Sequence, residues 1–425
     1  MVSPSGPEVL SLGCRLNIAE SETIRALLGD RDVAVVNSCA VTNEAVKQTR
    51  AAIRRLRRAR PGAELVVTGC AAEIDPAGFA GMPEVDRVVG NLDKLKPEQW
   101  GATAAPVQAF EEHARAFVEV QNGCDHRCTF CAIPFGRGPS RSVPAGAVVE
   151  RVAGLVAAGH REVVLTGVDV TSYGQDLPGT PGLGSLVERL LRFVPELERL
   201  RLSSLDSVEI DDRLFELVTG EPRVMPHLHL SLQAGDDLVL KRMKRRHSRA
   251  QAVATVARLK AKRPDIAIGA DLIAGFPTED DAMFANTLQL LDDCDVVHAH
   301  IFSYSPRAGT PAARMPQVDP EVRRERAARL RARAAARRRD WLRGLVGSEQ
   351  AVLVERPGDR GHAANFAEIR LADPNSVRAE LVEAPSFSAA EEQNSPSTSS
   401  GRTFGRVVRT RITNATETYL QGVPA

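Results

Sequence analysis

The chain has 425 residues, 43% of them hydrophobic, and a formal net charge of +1. That length accommodates two or three domains with sizeable cores. The near-neutral balance excludes a global field that would draw in a polyanion, so any nucleic-acid contact has to come from local patches. No stretch approaches the roughly 20 apolar residues of a membrane span. The seven cysteines are an odd number, and the start has no basic region followed by a long apolar run. Reduced thiols in a cytoplasmic protein are therefore expected, not disulfides.

Residues 1–106 contain three short apolar runs, each ending in a cysteine: VLSLGC at Cys14, VAVVNSC at Cys39 and ELVVTGC at Cys70. A helical pattern follows each: NIAESETIRALLG, NEAVKQTRAAIRRLRRAR and the shorter EIDPAGFAG. Alternating strands and helices predict a parallel-sheet α/β domain. Ligands bind beyond the carboxyl ends of such strands. All three cysteines fall at that end, in loops carrying Gly13, Asn17, Ser38 and Gly69, so they can converge as a three-cysteine metal site. The bland alternative is a set of buried strand cysteines.

Residues 107–318 read as about six strand–helix repeats, from RAFVEVQ to VVHAHIFSY, and predict a partial barrel. The first strand runs into QNGCDHRCTFCAIPFGRG, where Cys124, Cys128 and Cys131 have the spacing C-x3-C-x2-C. Three thiolates this close suit an iron–sulfur cluster or a zinc ion. Zinc prefers two cysteine pairs, or a pair plus histidines, and no fourth cysteine lies nearby. A four-iron cluster held by three cysteines leaves one iron open to chelate a small molecule, with Phe130 as an apolar wall. Other strand ends are polar or glycine-rich: Gly167 and Asp169, Ser203 and Ser204, Gln233, Asp271 and Gly275, and Tyr304 to Arg307. Of these, Gly167, Ser203, Gln233 and Asp271, with Phe130, are the candidate cofactor contacts. Each alone could equally be a turn or cap residue. His227 and His229 share one strand face and, lacking a cysteine partner, read as packed or hydrogen-bonding residues. Cys294 reads as a plain buried cysteine.

Residues 319–345 form a basic helix with ten arginines between Pro320 and Arg343. It reads as a solvated face or an RNA-facing stripe. The earlier helix, with Lys47, Arg50, Arg54, Arg55, Arg57, Arg58 and Arg60, is a second candidate patch. Phosphate contacts by either would be sequence-independent and salt-sensitive. Within 346–425, SEQAVLVERPG, HAANFAEIRL, GRVVRTRITNAT and TYLQGV predict four strands of a small β-barrel. Residues 372–403 have the Ser-, Ala-, Glu- and Pro-rich composition of a disordered insertion.

The cysteine loop GCDHRCTFCAIPFGRGPSRS resembles the radical S-adenosyl-L-methionine (SAM) motif. With SLGCRLNIAESE, VVNSCAVT, VVTGCAAE, FSYSPRAGTPAA, GHAANFAEIRL and GRVVRTRITNATETYLQG, nearly the whole chain resembles the radical-SAM methylthiotransferases. LTGVDVTSYG and the SLGCRLN opening look most like the branch acting on threonylcarbamoyladenosine 37 of tRNA. Other branches act on isopentenyladenosine in tRNA or on an aspartate of a ribosomal protein. A non-catalytic iron–sulfur or RNA-binding protein is the alternative from another class.

The resemblance implies a methylthiotransferase amino-terminal domain, a partial (β/α)6 radical-SAM barrel and a terminal RNA-binding β-barrel called TRAM. It implies two 4Fe-4S clusters, one on Cys124, Cys128 and Cys131 that binds SAM, and a second on Cys14, Cys39 and Cys70 that carries the inserted sulfur. Reductive cleavage of SAM would generate the radical that activates carbon 2 of the adenine, chemistry that belongs to the cofactor. The implied partners are the tRNA anticodon arm, gripped by TRAM and the basic helices, and a flavodoxin- or ferredoxin-like electron donor. An exposed loop base suits a stacking pocket better than duplex readout.

Overall fold

The computed structural model describes residues 6–103, 110, 112–372 and 404–425. The low-complexity stretch 372–403 lies outside them apart from Ala372.

Four parallel strands open the chain in the order β1 (Glu8–Ser11), β2 (Val33–Ser38), β3 (Glu64–Gly69) and β4 (Arg87–Val88). The β-branched runs of β2 and β3 are buried on both faces, as a parallel sheet covered by helices requires. One apolar layer gathers Ile24, Val35, Val66 and Trp100, the other Val36, Ile53, Val67 and Phe79. Helix α1 (Arg15–Leu28) begins directly after Cys14, and α2 (Asn43–Ala59) is capped by Thr42, whose hydroxyl accepts from Ala45 N at 3.1 Å. The third helical pattern is two short helices, α3 (Cys70–Ile74) and α4 (Pro76–Ala80), split at Asp75, whose carboxylate caps the second. Gly69 has φ +94, and a Cβ there would lie 2.4 Å from the backbone N and O of Ser38. Only glycine lets β3 turn into Cys70 so close to the end of β2.

Strand β5 (Arg115–Glu119) opens the central unit. A two-stranded ribbon, β6 (Gln121–Asn122) with β7 (Arg141–Ser142), ties off the neck of the cysteine loop and encloses α5 (Ile133–Arg137). Then come α6 (Ala145–Ala157), β8 (Glu162–Thr166), α7 (Leu183–Phe193), β9 (Arg199–Leu202), α8 (Asp212–Gly220), β10 (His227–Gln233), α9 (Asp237–Met243), α10 (Arg249–Lys262), β11 (Ala267–Ala274), α11 (Asp281–Asp293) and β12 (Val296–Ser303). Parallel sheets β5-β8-β9 and β10-β11-β12 are joined by bridges from Leu200 to Val224 and from Leu205 to Leu230. Six parallel strands thus form an arc, a partial barrel. The single helical stretch expected after β10 is broken at Lys244, which adopts left-handed φ, and restarts with a Ser248–Gln251 capping box.

Helix α12 (Pro320–Gly344) packs along β11 and β12 and leads to a closed barrel of β13 (Glu349–Glu355), β14 (Arg360–Ala363), β15 (Glu368–Leu371), β16 (Val407–Ala415) and β17 (Leu420–Pro424). It has five strands, not the four expected. HAANFAEIRL is two strands because the chain reverses at Asn365 and Phe366: Phe366 takes φ +69, and Asn365 Oδ1 accepts from Ala367 N at 3.1 Å. Phe366 packs at the amino-terminal end of the central arc, against the first residues of β5 and β10. It stacks on His227 at 4.9 Å and lies under the guanidiniums of Arg15, Arg115 and Arg201. Arg201 donates to the carbonyls of Ala363 and Ala364, both at 2.8 Å.

Candidate metal centre and cavity

The carboxyl ends of the amino-terminal strands meet the carboxyl ends of the central arc around a cavity of about 700 Å³. Cys14, Cys39, Cys70, Phe130, Gly167, Ser203, Gln233 and Asp271 all line it. Cys124, Cys128 and Cys131 are half-buried in the adjoining loop. All seven cysteines are free thiols, and Cys294 is buried away from this site in the central core.

The two cysteine sets are held against each other by buried polar groups that the sequence reading missed. Arg137, in α5, donates from Nε to Sγ of Cys70 at 3.1 Å. Its other nitrogens reach Glu20 at 2.8 and 3.0 Å, Asn122 Oδ1 at 3.0 Å and Asn17 Oδ1 at 2.5 Å. Lys94 pairs with the same Glu20 at 2.6 Å, and both are 1% exposed. Burial raises the cost of ionising Glu20, but Arg137 and Lys94 outweigh it and bring its pKa down to about 2. Gly136 lets this loop lie against the backbone of Cys70, where a Cβ would meet Cys70 O at 3.1 Å.

Without a metal the thiols are held in the protonated form. Burial, then Asp169 and the neighbouring cysteines, pushes Cys124 up to about 12; burial and Cys128 push Cys131 up to about 11. Burial likewise raises Cys14 and Cys39, and their neighbouring cysteines add to it. Three thiolates in mutual electrostatic reach repel unless a cation lies among them, so metal loading is what would deprotonate them. Cys131 also lies within electrostatic reach of Cys70, so the sets face one another.

The loop is anchored from several sides. Gln121 accepts from Val168 N and Asp169 N at 3.1 and 2.8 Å, and donates to Gly123 O and Ser140 Oγ at 2.8 and 2.9 Å. Gly167 lies so close that a Cβ would meet Gln121 O at 2.6 Å, so its absent side chain has a packing reason. Thr129 binds Met243, Arg242 and Ala312 through backbone and hydroxyl. Phe130 packs edge-on against Phe276 at 6.4 Å between ring centres. Gln233 adopts left-handed φ +66 on the cavity wall, a strained conformation characteristic of sites. Ser203 Oγ and Tyr304 Oη are buried on that wall without a partner among the described residues, leaving hydrogen-bonding capacity for a bound molecule. Asp271 instead accepts from His229 at 3.0 Å and His300 at 3.1 Å. His227 is packed between Phe366 and His298, in keeping with its expected role.

Most arginines of α12 have internal partners. Arg326 pairs with Glu279 and Asp281, Arg333 and Arg337 share Asp292, and Arg338 donates to Thr418 O. The helix is chiefly a strut between the two barrels. In α2, Arg50, Arg54 and Arg57 pair with carboxylates, as does Arg60 just after it. Lys47, Arg55 and Arg58 are exposed and form no ion pair among the described residues.

Comparison with known proteins follows this division. Residues 118–291 match the radical SAM superfamily and residues 8–90 match the uncharacterized protein family UPF0004. The chain is 46% identical over 383 residues to the threonylcarbamoyladenosine tRNA methylthiotransferase MtaB of Rickettsia prowazekii, covering 86% of this chain and 91% of that protein. It is 34% identical to the Thermotoga maritima protein of the same name, covering 81% and 85%. It is also 34% identical to the tRNA-2-methylthio-N(6)-dimethylallyladenosine synthase of Cereibacter sphaeroides, covering 82% and 87%. Among solved structures it resembles the radical SAM methyltransferase TsrM of Kitasatospora setae, with a TM-score of 0.51 and 15% identity over 72% of this chain and 78% of that one. No helix among the described residues is long and apolar enough to cross a membrane.

Proposed function

The chain belongs to the radical-SAM tRNA methylthiotransferases, and from that premise we propose that it replaces the hydrogen on carbon 2 of N6-threonylcarbamoyladenosine in tRNA with a methylthio group. The observation that carries this reading is that one three-cysteine set lines a cavity large enough for a nucleoside, and the loop of the second set adjoins it through Phe130 and Arg137. The substrate assignment rests on the higher identity to the threonylcarbamoyladenosine enzyme than to the dimethylallyladenosine one.

Cys124, Cys128 and Cys131 would hold the 4Fe-4S cluster at which SAM binds, and Cys14, Cys39 and Cys70 the second. When bound, these groups supply the radical from SAM and the sulfur with its methyl. The chain itself positions and shields them. Phe130 walls the SAM side, while Ser203, Gly167 and Gln233 offer polar edges and room beside it. Arg137 fixes the separation of the two cysteine sets and balances their negative charge. Arg55, Arg58 and Lys47, with the carboxy-terminal barrel, would contact the anticodon arm. A flavodoxin- or ferredoxin-like donor would supply electrons, in the cytoplasm.

The test is reconstitution: purified, anaerobically loaded protein with SAM, a reductant and an anticodon stem-loop bearing the modified adenosine. Methylthiolated nucleoside is the expected product. SAM cleavage without methylthiolation of this RNA, but with methylthiolation of an isopentenyladenosine RNA, would overturn the substrate assignment.

A further inference from the structure

Arg15 follows Cys14 directly and lines the same cavity. It forms no ion pair or hydrogen bond among the described residues; its guanidinium rests over the ring of Phe366, 5.5 Å from the centre. The carboxylates around it are already engaged. Glu162 is shared by Arg115, Arg199 and Arg201, and Asp271 by two histidines. Around Phe366, the guanidiniums of Arg15, Arg115 and Arg201 and the adjoining Arg199 outnumber the carboxylates of Glu162 and Glu355 and, on the cavity wall, Asp271. A half-buried cation left without a counter-charge is costly, and a guanidinium fork is shaped to take a carboxylate through two parallel hydrogen bonds.

We propose that Arg15 is the specificity residue that binds the free carboxylate of the threonylcarbamoyl group on the substrate adenine. The inference rests on the function proposed above. Carbon 2 and N6 lie on the same edge of adenine with N1 between them, so whatever grips the N6 substituent has to lie beside the sulfur donor. Arg15 adjoins Cys14, one of the three thiols proposed to hold it. The polar ring around it, with His229 and His300 on Asp271, offers partners for the urea and hydroxyl groups of the same substituent. An apolar isopentenyl group would leave the guanidinium desolvated and unpaired, which disfavours that substrate more strongly than a change of shape would.

The test compares binding of cluster-loaded protein to two stem-loops that differ only in the threonyl carboxylate, intact in one and converted to the carboxamide in the other. This also separates the substrate's carboxylate from that of SAM, which is unchanged. Wild type is expected to prefer the carboxylate RNA about ten- to a hundredfold, the range of one charged hydrogen-bonded pair. Arg15→Met should erase the preference by weakening only the carboxylate RNA, and Arg15→Lys, which keeps the charge but not the fork, should retain part of it. Iron content and melting temperature establish that each variant is loaded and folded. Absence of a preference in wild type, or Arg15→Met weakening both RNAs equally, overturns the proposal. Failure of the underlying function looks different: wild type would then yield no methylthiolated product from the carboxylate RNA, whatever its binding preference.

Discussion

Arg137 Nε lies 3.1 Å from Cys70 Sγ, joining the loop of one cysteine set to a ligand candidate of the other. The same guanidinium is bound by Glu20, Asn17 and Asn122 and is almost wholly buried. One side chain thereby bridges the two cysteine-bearing regions, which lie on different structural units.

Arg137→Gln should leave Glu20 with Lys94 as its only charged partner among the described residues and open the gap between the sets. Removing one member of a buried ion pair costs about 3–5 kcal/mol, so melting temperature should fall. Iron retained after desalting should fall with it. Unchanged stability and iron content would remove Arg137 from this role.

The two cysteine sets should fail differently. Cys128→Ala is expected to abolish formation of 5′-deoxyadenosine from SAM. Cys39→Ala should still cleave SAM but insert no sulfur. Product analysis by liquid chromatography distinguishes them, and unimpaired methylthiolation by Cys39→Ala would contradict the second-site assignment.

Acid should loosen the junction between the central arc and the carboxy-terminal barrel. Burial disfavours the Glu162 carboxylate, yet Arg201, Arg115 and Arg199 outweigh it and lower its pKa from 4.5 to about 2. A carboxyl depressed in the folded state contributes stability above pH 4.5, and that contribution is lost as pH falls toward 2. Glu162→Gln should remove it at neutral pH and flatten the acid limb of the stability curve between those values, measured by circular dichroism. An unaltered acid limb would show that other groups control it.

If α2 faces RNA, replacing Lys47, Arg55 and Arg58 with glutamine should weaken binding uniformly across sequences. It should also reduce the slope of log affinity against log salt by about 2–3. The same change at Arg326, Arg333 and Arg337 should lower stability instead, because those side chains already pair with Glu279, Asp281, Asp292 and Asp295.

The cysteines were legible in the sequence because local chemistry marks them: three apolar runs ending in cysteine, and one tight C-x3-C-x2-C loop. Parallel strands carry such residues to one edge whatever their separation in the chain. The network of Arg137, Glu20 and Lys94 was not legible, since its pairs span 117 and 74 residues and follow no periodicity. The ten arginines of the basic helix are visible in the sequence, but several of the carboxylates that pair with them, Glu279, Asp281, Asp292 and Asp295, lie on other parts of the chain. The fifth barrel strand was hidden because HAANFAEIRL has strand-like composition and only Asn365 hints at the reversal. Arg15 stood in plain view beside Cys14, but its missing counter-charge became apparent only with its neighbours in place.

Nucleoside mass spectrometry of tRNA from cells with and without this gene tests the central claim most directly. The account expects 2-methylthio-threonylcarbamoyladenosine to vanish without the gene and its unmethylthiolated precursor to accumulate. An unchanged level of that nucleoside, in cells with no second gene of the family, would contradict it.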